Sequence, residues 1–361
     1  MMYKYKRITV KIGSNVLTTK EGMLDTARMS ALVSQMAELH KNGVEIILVS
    51  SGAVASGRGE LQIDRKLDAV KSRQLFSAVG QVKLVNNYYE MFKSHGINCG
   101  QILTMKENFS TRRLYLNQKQ CMEVMLEHGV IPIVNENDTV AVTELMFTDN
   151  DELSGLIATM MDTEALIILS NIDGIYDGDP TDPSSSVIRS ISDETEDLSS
   201  YIQTKKSSFG RGGMMTKCNI ARKVAHEGIT VIIANGRREN ILQSLLDDKS
   251  DTVCTVFEAS KHELSSIKKW IAHSDGYAKG TLLINDKAKE RLLSDNAVSL
   301  LPIGITGVEG EFEKDDIVRI KDGQGVIIGV GKVSCNSDKA IALAGKKGGK
   351  PLVHYDYLYI E

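Results

Sequence analysis

The sequence predicts an α/β protein with a mostly parallel central sheet and helices on both faces, followed by a small C-terminal β-barrel. Three observations carry this expectation. Up to about residue 256, short β-branched runs alternate with amphipathic stretches, the pattern of parallel strands joined by crossover helices. Two of the runs, Val44–Val49 and Leu166–Leu169, are almost continuously apolar, as suits strands covered on both faces. After Phe257 the runs shorten and are punctuated by Gly304, Gly307, Gly310, Gly323, Gly325, Gly329 and Gly331, the texture of a small β-barrel or sandwich of about 90 residues.

Taken in order, the strand candidates of the first part are Ile8–Ile12, Val44–Val49, Ile97–Thr104, Val130–Val134, Ala165–Leu169 and Thr230–Ala234. Between the first two, Met29, Leu32, Val33, Met36 and Leu39 recur at helical spacing. Leu114, Cys121, Met122 and Met125 repeat the pattern within Leu114–Leu126. Asp177–Ser200, with two of the five prolines and clusters of Asp and Ser, reads as a long surface loop. Ser207–Lys217 reads as a Gly- and Ser-rich loop leading into a helix from Met214. In the tail, a charged helix-like piece at Lys261–Lys269 precedes strand candidates Thr281–Ile284, Asp316–Ile320 and Val326–Val330. The expected division is 1–256, a linker at 257–272, and 273–361.

Composition excludes several classes of function. A hydrophobic fraction of 42% with 25% charged residues is that of an ordinary globular chain, and a net charge of −4 leaves no general field for nucleic acid or anionic membrane. The five cysteines, Cys99, Cys121, Cys218, Cys254 and Cys335, are scattered and never form a C-x-x-C pair. They read as reduced thiols in a cytoplasmic protein, neither a disulfide framework nor a zinc site. No apolar run reaches the roughly 18 residues of a membrane span. The charged start, Met1 to Val10, runs directly into a strand pattern and is not read as a signal peptide.

The usual nucleotide and hydrolase signatures are missing: there is no G-x-x-x-x-G-K-[ST], strand-borne G-x-G-x-x-G, H-E-x-x-H, G-x-S-x-G or protein-kinase set. What remains is a series of small polar segments at strand ends. Lys11-Ile12-Gly13-Ser14-Asn15 puts a cation at the carboxyl edge of the first strand. Read alone, it is equally a solvated lysine with a turn glycine. Ser50-Ser51-Gly52-Ala53-Val54 closes the second strand and opens a helix, offering free N–H groups to a carboxylate or phosphate, or merely capping the helix with serine. Asn135-Glu136-Asn137-Asp138 follows the strand ending at Val134, and Asp149-Asn150-Asp151 precedes a helix starting near Glu152. Both suit an ammonium and a carboxylate, and both are also ordinary turn and cap chemistry. Gly210, Gly212, Gly213, Thr216 and Lys217 suit phosphate, or a flexible loop at a helix start. Several of these segments converge on one sheet edge if the strands are parallel. Two lysines from distant positions, with acidic and amide residues between them, then match what phosphoryl transfer needs.

These segments together resemble the amino-acid kinase family over nearly the whole chain. The matching runs are Lys11–Leu17, Ser50–Arg58, Val134–Asp138, Asp149–Ser154 and Gly212–Lys217. Ser299–Ile305 and Gly310-Glu311-Phe312 are similar to a PUA domain. The resemblance implies ATP and Mg²⁺ as cosubstrates, glutamate as acceptor, and glutamyl 5-phosphate as product, the first step of proline synthesis. It also implies feedback inhibition by proline, a homo-oligomer and contact with the next enzyme, glutamyl phosphate reductase. Carried over residue by residue, Lys11 and Lys217 match the charge-stabilising lysines, and Asp151 the acidic residue that orients them. Ser51, Gly52, Asn135, Asp138, Asp149 and Asn150 match the substrate site. Lys11, Ser170, Asn171, Arg211, Gly212, Gly213, Met214, Met215, Thr216 and Lys217 match nucleotide-contacting positions. No residue is assigned as a metal ligand. Ser170-Asn171 stands where the family often has Thr-Asp, and Arg211 where a small residue is expected.

Three other readings compete: a kinase for another carboxylate such as aspartate or N-acetylglutamate, an RNA-binding protein acting through the tail, and a non-catalytic sensor. The 12 Lys/Arg and 13 Asp/Glu in residues 271–361 form no basic stripe, which weighs against RNA. Retention of both Lys11 and Lys217 weighs against a sensor.

Overall fold

The computed structural model describes residues 3–61, 67–140, 147, 149–192, 214–261, 265–294 and 298–360. The chain forms two units, Met1–Asn108 with Leu116–Glu263, and Phe109–Tyr115 with Leu264–Glu361.

In chain order the first unit holds β1 (Arg7–Ile12), α1 (Ser14–Leu17), α2 (Thr26–Lys41), β2 (Glu45–Ser50), α3 (Ala53–Glu60), α4 (Ala69–Ser94) and β3 (Asn98–Thr104). It continues through α5 (Arg112–Glu127, of which the first unit holds the part from Leu116), β4 (Val130–Glu136), α6 (Asn150–Met160), β5 (Ala165–Ser170) and β6 (Ser190–Ile191). Then follow α7 (Met214–His226), β7 (Thr230–Asn235), α8 (Ile241–Leu246) and β8 (Thr255–Phe257). The strand order is β3-β4-β2-β1-β5-β7-β8-β6. The six strands from β3 to β7 are mutually parallel, β8 runs against β7, and β6 is parallel to β8.

Alternation along β5 explains why the central strands read as unbroken apolar runs. Ile167 and Leu169 join a core with Leu32, Met36, Leu84, Tyr88 and Leu242 from α2, α4 and α8. Leu166 and Ile168 join the core on the opposite face with Ala158, Cys218, Ala221 and Val224 from α6 and α7. A strand so covered has no polar face to show. The edge strand β3 is mostly exposed or half-buried, and its sequence is accordingly less apolar.

Three details differ from the sequence reading. β4 runs through Glu136, two residues beyond Val134, because its pairing with β3 continues to Thr104. α6 starts at Asn150, since the Asp149 side chain already caps it by accepting from the N–H groups of Asp151 and Glu152. The stretch read as a surface loop contains β6, and its Val187 bridges Tyr176 just ahead of it. Residues 193–200 of that stretch, and 207–213 of the Gly- and Ser-rich loop, lie outside the described residues.

The second unit holds α9 (Ser266–Ala272), β9 (Gly280–Ile284), α10 (Asp286–Leu292), β10 (Ile305–Gly310), β11 (Ile317–Lys321), β12 (Ile327–Val333), α11 (Ser337–Leu343) and β13 (Val353–Ile360). Its sheet has the order β10-β9-β11-β12-β13. The β9–β11 pair is parallel and the rest antiparallel. Leu300 bridges Val353 of β13 a few residues before the chain enters β10. Residues 257–272, read as a linker, contain the end of β8 and the whole of α9. The Trp270 indole of α9 donates to the Phe109 carbonyl at 2.9 Å, a pairing across 161 residues that no local pattern announces.

Candidate active site

The parallel sheet brings the strand ends together, as the sequence segments require. β1, β2, β4, β5 and β7 deliver Lys11, Ser50, Glu136, Ser170 and Asn235 to one edge, where open α/β sheets bind ligands.

At its centre is Asp151 in the first turn of α6, 1% exposed. Lys11 pairs with its Oδ1, and Lys217 Nζ lies 2.8 Å from its Oδ2. Burial alone would raise the Asp151 carboxyl, but the charges of Lys11 and Lys217 outweigh it and hold the group below the usual carboxylate range. An aspartate so paired is no proton acceptor. It fixes two ammonium groups side by side, an arrangement suited to meeting a phosphoryl group. Asp149, the α6 cap, is pushed up to about 6 by burial and by the neighbouring Asp151 charge.

A second cluster adjoins the first. The Asn150 amide donates to Ser51 Oγ at 2.9 Å, to Asn135 Oδ1 at 3.1 Å and to the Ser50 carbonyl at 3.3 Å. One side chain thereby ties the ends of β2 and β4 to α6. Gly52 takes φ +113°, a left-handed conformation that favours glycine, and starts α3 with its N–H groups free of a side-chain cap. Ser51, Gly52, Asn135, Asp149 and Asn150 are thus brought to one place. Asp138 is 8% exposed and pairs with Arg73 of α4, which also pairs with Glu136.

Sequence reading missed the α4 residues. Arg73 and Gln81, which accepts from Asn135 at 2.8 Å, are eight positions apart and so share one helix face. That spacing was the available signal. Gly57 and Gly80 were missed as well: a Cβ on Gly80 would lie 1.8 Å from the Ala53 carbonyl, and one on Gly57 1.9 Å from that of Phe76. The α3–α4 crossing is closed to any side chain there, which seats the start of α3 against α4.

On the other side of Lys11, Ser170 ends β5 buried and accepts from Gly236 N at 2.8 Å, with Asn171 exposed beside it. Asp173 accepts from Asn235 and Arg238 at 3.0 and 2.7 Å, a cluster the sequence did not suggest. Met214, Met215, Thr216 and Lys217 form the first turn of α7. Arg211, Gly212 and Gly213 lie outside the described residues.

An open α/β sheet whose carboxyl edge gathers two lysines about one buried aspartate, beside a polar amide pocket, defines a phosphoryl-transfer enzyme. Residues 6–235 match the amino acid kinase family and residues 280–354 match the PUA domain, so the chain belongs to the amino acid kinase family. It is 68% identical over 361 residues, and 100% of both chains, to a protein of Bacteroides thetaiotaomicron named glutamate 5-kinase. A protein of the same name from Chlorobaculum tepidum is 50% identical, over 99% of this chain and 98% of that one. Among solved structures, carbamate kinase from Giardia lamblia bound to AMP-PNP aligns with a TM-score of 0.50 at 14% identity. That match covers 72% of this chain and 100% of the other, and shows the fold alone.

Proposed function

We infer that this chain transfers the γ-phosphoryl group of ATP to the side-chain carboxylate of glutamate, giving glutamyl 5-phosphate. The observation that carries the reading is the Lys11–Asp151–Lys217 cluster set against the Asn150-centred pocket. Its support in relatives is full-length identity of 68% and 50% to proteins named glutamate 5-kinase. The acceptor is itself a carboxylate, already ionised at neutral pH, so the reaction needs no general base. That agrees with an aspartate committed to two lysines.

In this reading Lys11 and Lys217 draw charge from the transferred group, and Asp151 holds them in place. Asp138 meets the substrate ammonium. Ser51, Gly52, Asn135, Asp149 and Asn150 shape the pocket for its polar edges. Ser170, Asn171 and residues 211–217 serve the nucleotide. Magnesium accompanies the ATP phosphates. Mg²⁺ commonly binds largely through substrate phosphates and water.

The further parts of the proposal are a cytoplasmic enzyme of proline synthesis, inhibited by proline, assembled as a homo-oligomer and meeting glutamyl phosphate reductase. Residues 1–256 carry the activity, 257–272 link, and 273–361 form the PUA-like part. No described helix is long and apolar enough to cross a membrane. ATP-dependent trapping of the acyl phosphate by hydroxylamine, over a panel of amino acids, tests the reading. Hydroxamate specific for glutamate is the expected result, and an equal or greater signal with aspartate would reassign the substrate.

A further inference from the structure

Beyond the lysine cluster, one helix face grips the whole segment that leaves β4. From α4, Gln81 takes Asn135, Gln74 donates to the Thr139 carbonyl at 2.9 Å, and Arg73 reaches both acids between them. The Arg73 Nη2 lies 2.6 Å from Glu136 Oε2 and 2.5 Å from Asp138 Oδ1. Glu136 and Asp138 are 4% and 8% exposed. Two buried carboxylates this close repel each other. The Arg73 guanidinium lies between them and offsets that repulsion.

We propose that Arg73 is a positioning residue for the amino-acid substrate, keeping Glu136 and Asp138 ionised together and Asp138 aimed at the incoming ammonium. The proposal rests on Asp138 as the ammonium partner. Glu136 is the fixed end of the arrangement: its Oε1 accepts from Phe147 N at 2.8 Å and its own N–H donates to Asn135 Oδ1 at 2.9 Å. When an ammonium takes Asp138, the guanidinium keeps Glu136, so no buried charge is stranded, an outcome that is otherwise costly.

The charged groups acting on Glu136 among the described residues are Arg73 of α4 and Asp138 of its own segment. Burial raises the Glu136 carboxyl, Arg73 opposes that rise, and the Asp138 charge adds to it. Without Arg73 the two acids titrate as a pair, one of them retaining a proton well above the usual carboxylate range. A proton held by the pair competes with the substrate ammonium for the same negative charge, so the anchor weakens as pH falls.

The experiment measures kcat and both KM values for the full-length protein from about pH 6 to about pH 8.5. The proteins are wild type, Arg73→Met, Arg73→Lys and Asp138→Asn. Arg73→Met should raise the glutamate KM about tenfold or more at the acid end, with the gap closing toward alkaline pH. The KM for ATP should stay within about twofold, and kcat should move less than the glutamate KM. Arg73→Lys should restore a flat glutamate profile. If Asp138→Asn raises the glutamate KM but Arg73→Met leaves it at the wild-type value with a flat profile, the positioning role is wrong. Equal pH-independent rises in both KM values would likewise overturn it, as damage to the fold. An Asp138→Asn variant with unchanged glutamate KM would remove the ammonium assignment itself.

Discussion

Lys11 and Lys217 come from β1 and α7 yet share one carboxylate, so each depends on Asp151 for its place. Truncating either lysine removes a preorganised charge: Lys11→Ala and Lys217→Ala should each lower kcat by about 10²-fold or more. The glutamate KM should change less, because the interaction is realised mainly in the transition state. Asp151→Ala should be harmful in a second way. It strands Lys11, which is 5% exposed, and breaking a buried pair costs about 3–5 kcal/mol. Thermal unfolding of that variant should therefore fall well below that of either lysine variant. Asp149 offers a pH test. Its folded pKa, raised to about 6, exceeds that of a free carboxyl, so between about pH 4 and pH 6 the folded state holds a proton the unfolded chain has released. Stability from this group is present at the acid end and is lost as pH rises through the folded value. Asp149→Asn keeps a capping side chain and removes the titration. Its melting temperature relative to wild type should rise across that window and level off above it.

Among the elements, α4 organises the proposed substrate side. Its face from Arg73 to Gln81 holds the β4 end, while Gly80 lets it press on α3, whose first residue follows Gly52. A methyl at Gly80 meets backbone rather than a flexible side chain. Gly80→Ala should then cost about 1–3 kcal/mol or more, the range for an overpacked core. It should also raise the glutamate KM more than the ATP KM, because the displaced element is α3. Denaturant unfolding and steady-state kinetics on the same preparation check both parts. A β-branched change on the exposed face of α4, such as Glu90→Val, should do neither.

For the whole molecule, the proposed catalytic residues precede Cys218, and the sheet of the first unit closes with β8 at Phe257. A fragment ending near residue 261 should keep measurable transfer to glutamate. It should also melt lower than the full chain, because Phe109–Tyr115 loses Trp270, with its hydrogen bond to the Phe109 carbonyl, and the Arg112–Ser266 contacts. A soluble, folded fragment with no transfer would place an essential part of the site in the second unit. The balanced charge of residues 271–361 predicts weak RNA binding with a shallow salt dependence. Filter binding to structured RNA at two salt concentrations measures it.

Periodicity and strand-end chemistry made much of this protein legible from its sequence. Apolar runs marked the central parallel strands because a strand buried on both faces has no place for polar residues. Lys11, Ser51 and Asn135 stood out as polar residues at the ends of such strands, and Asp151 as one at a helix start. The pairing across those ends was decided by the tertiary structure. Arg73 meets Glu136 across 63 residues and Asn150 meets Ser51 across 99, distances set by strand order and not by local pattern. Gly57 and Gly80 look in sequence like mild flaws in two helices, and only the crossing shows that a side chain there would strike backbone. The segment Phe109–Tyr115 carries no mark of belonging with α9. A residue's propensity reports the burial it wants, whereas its partner depends on which distant element the sheet order brings against it.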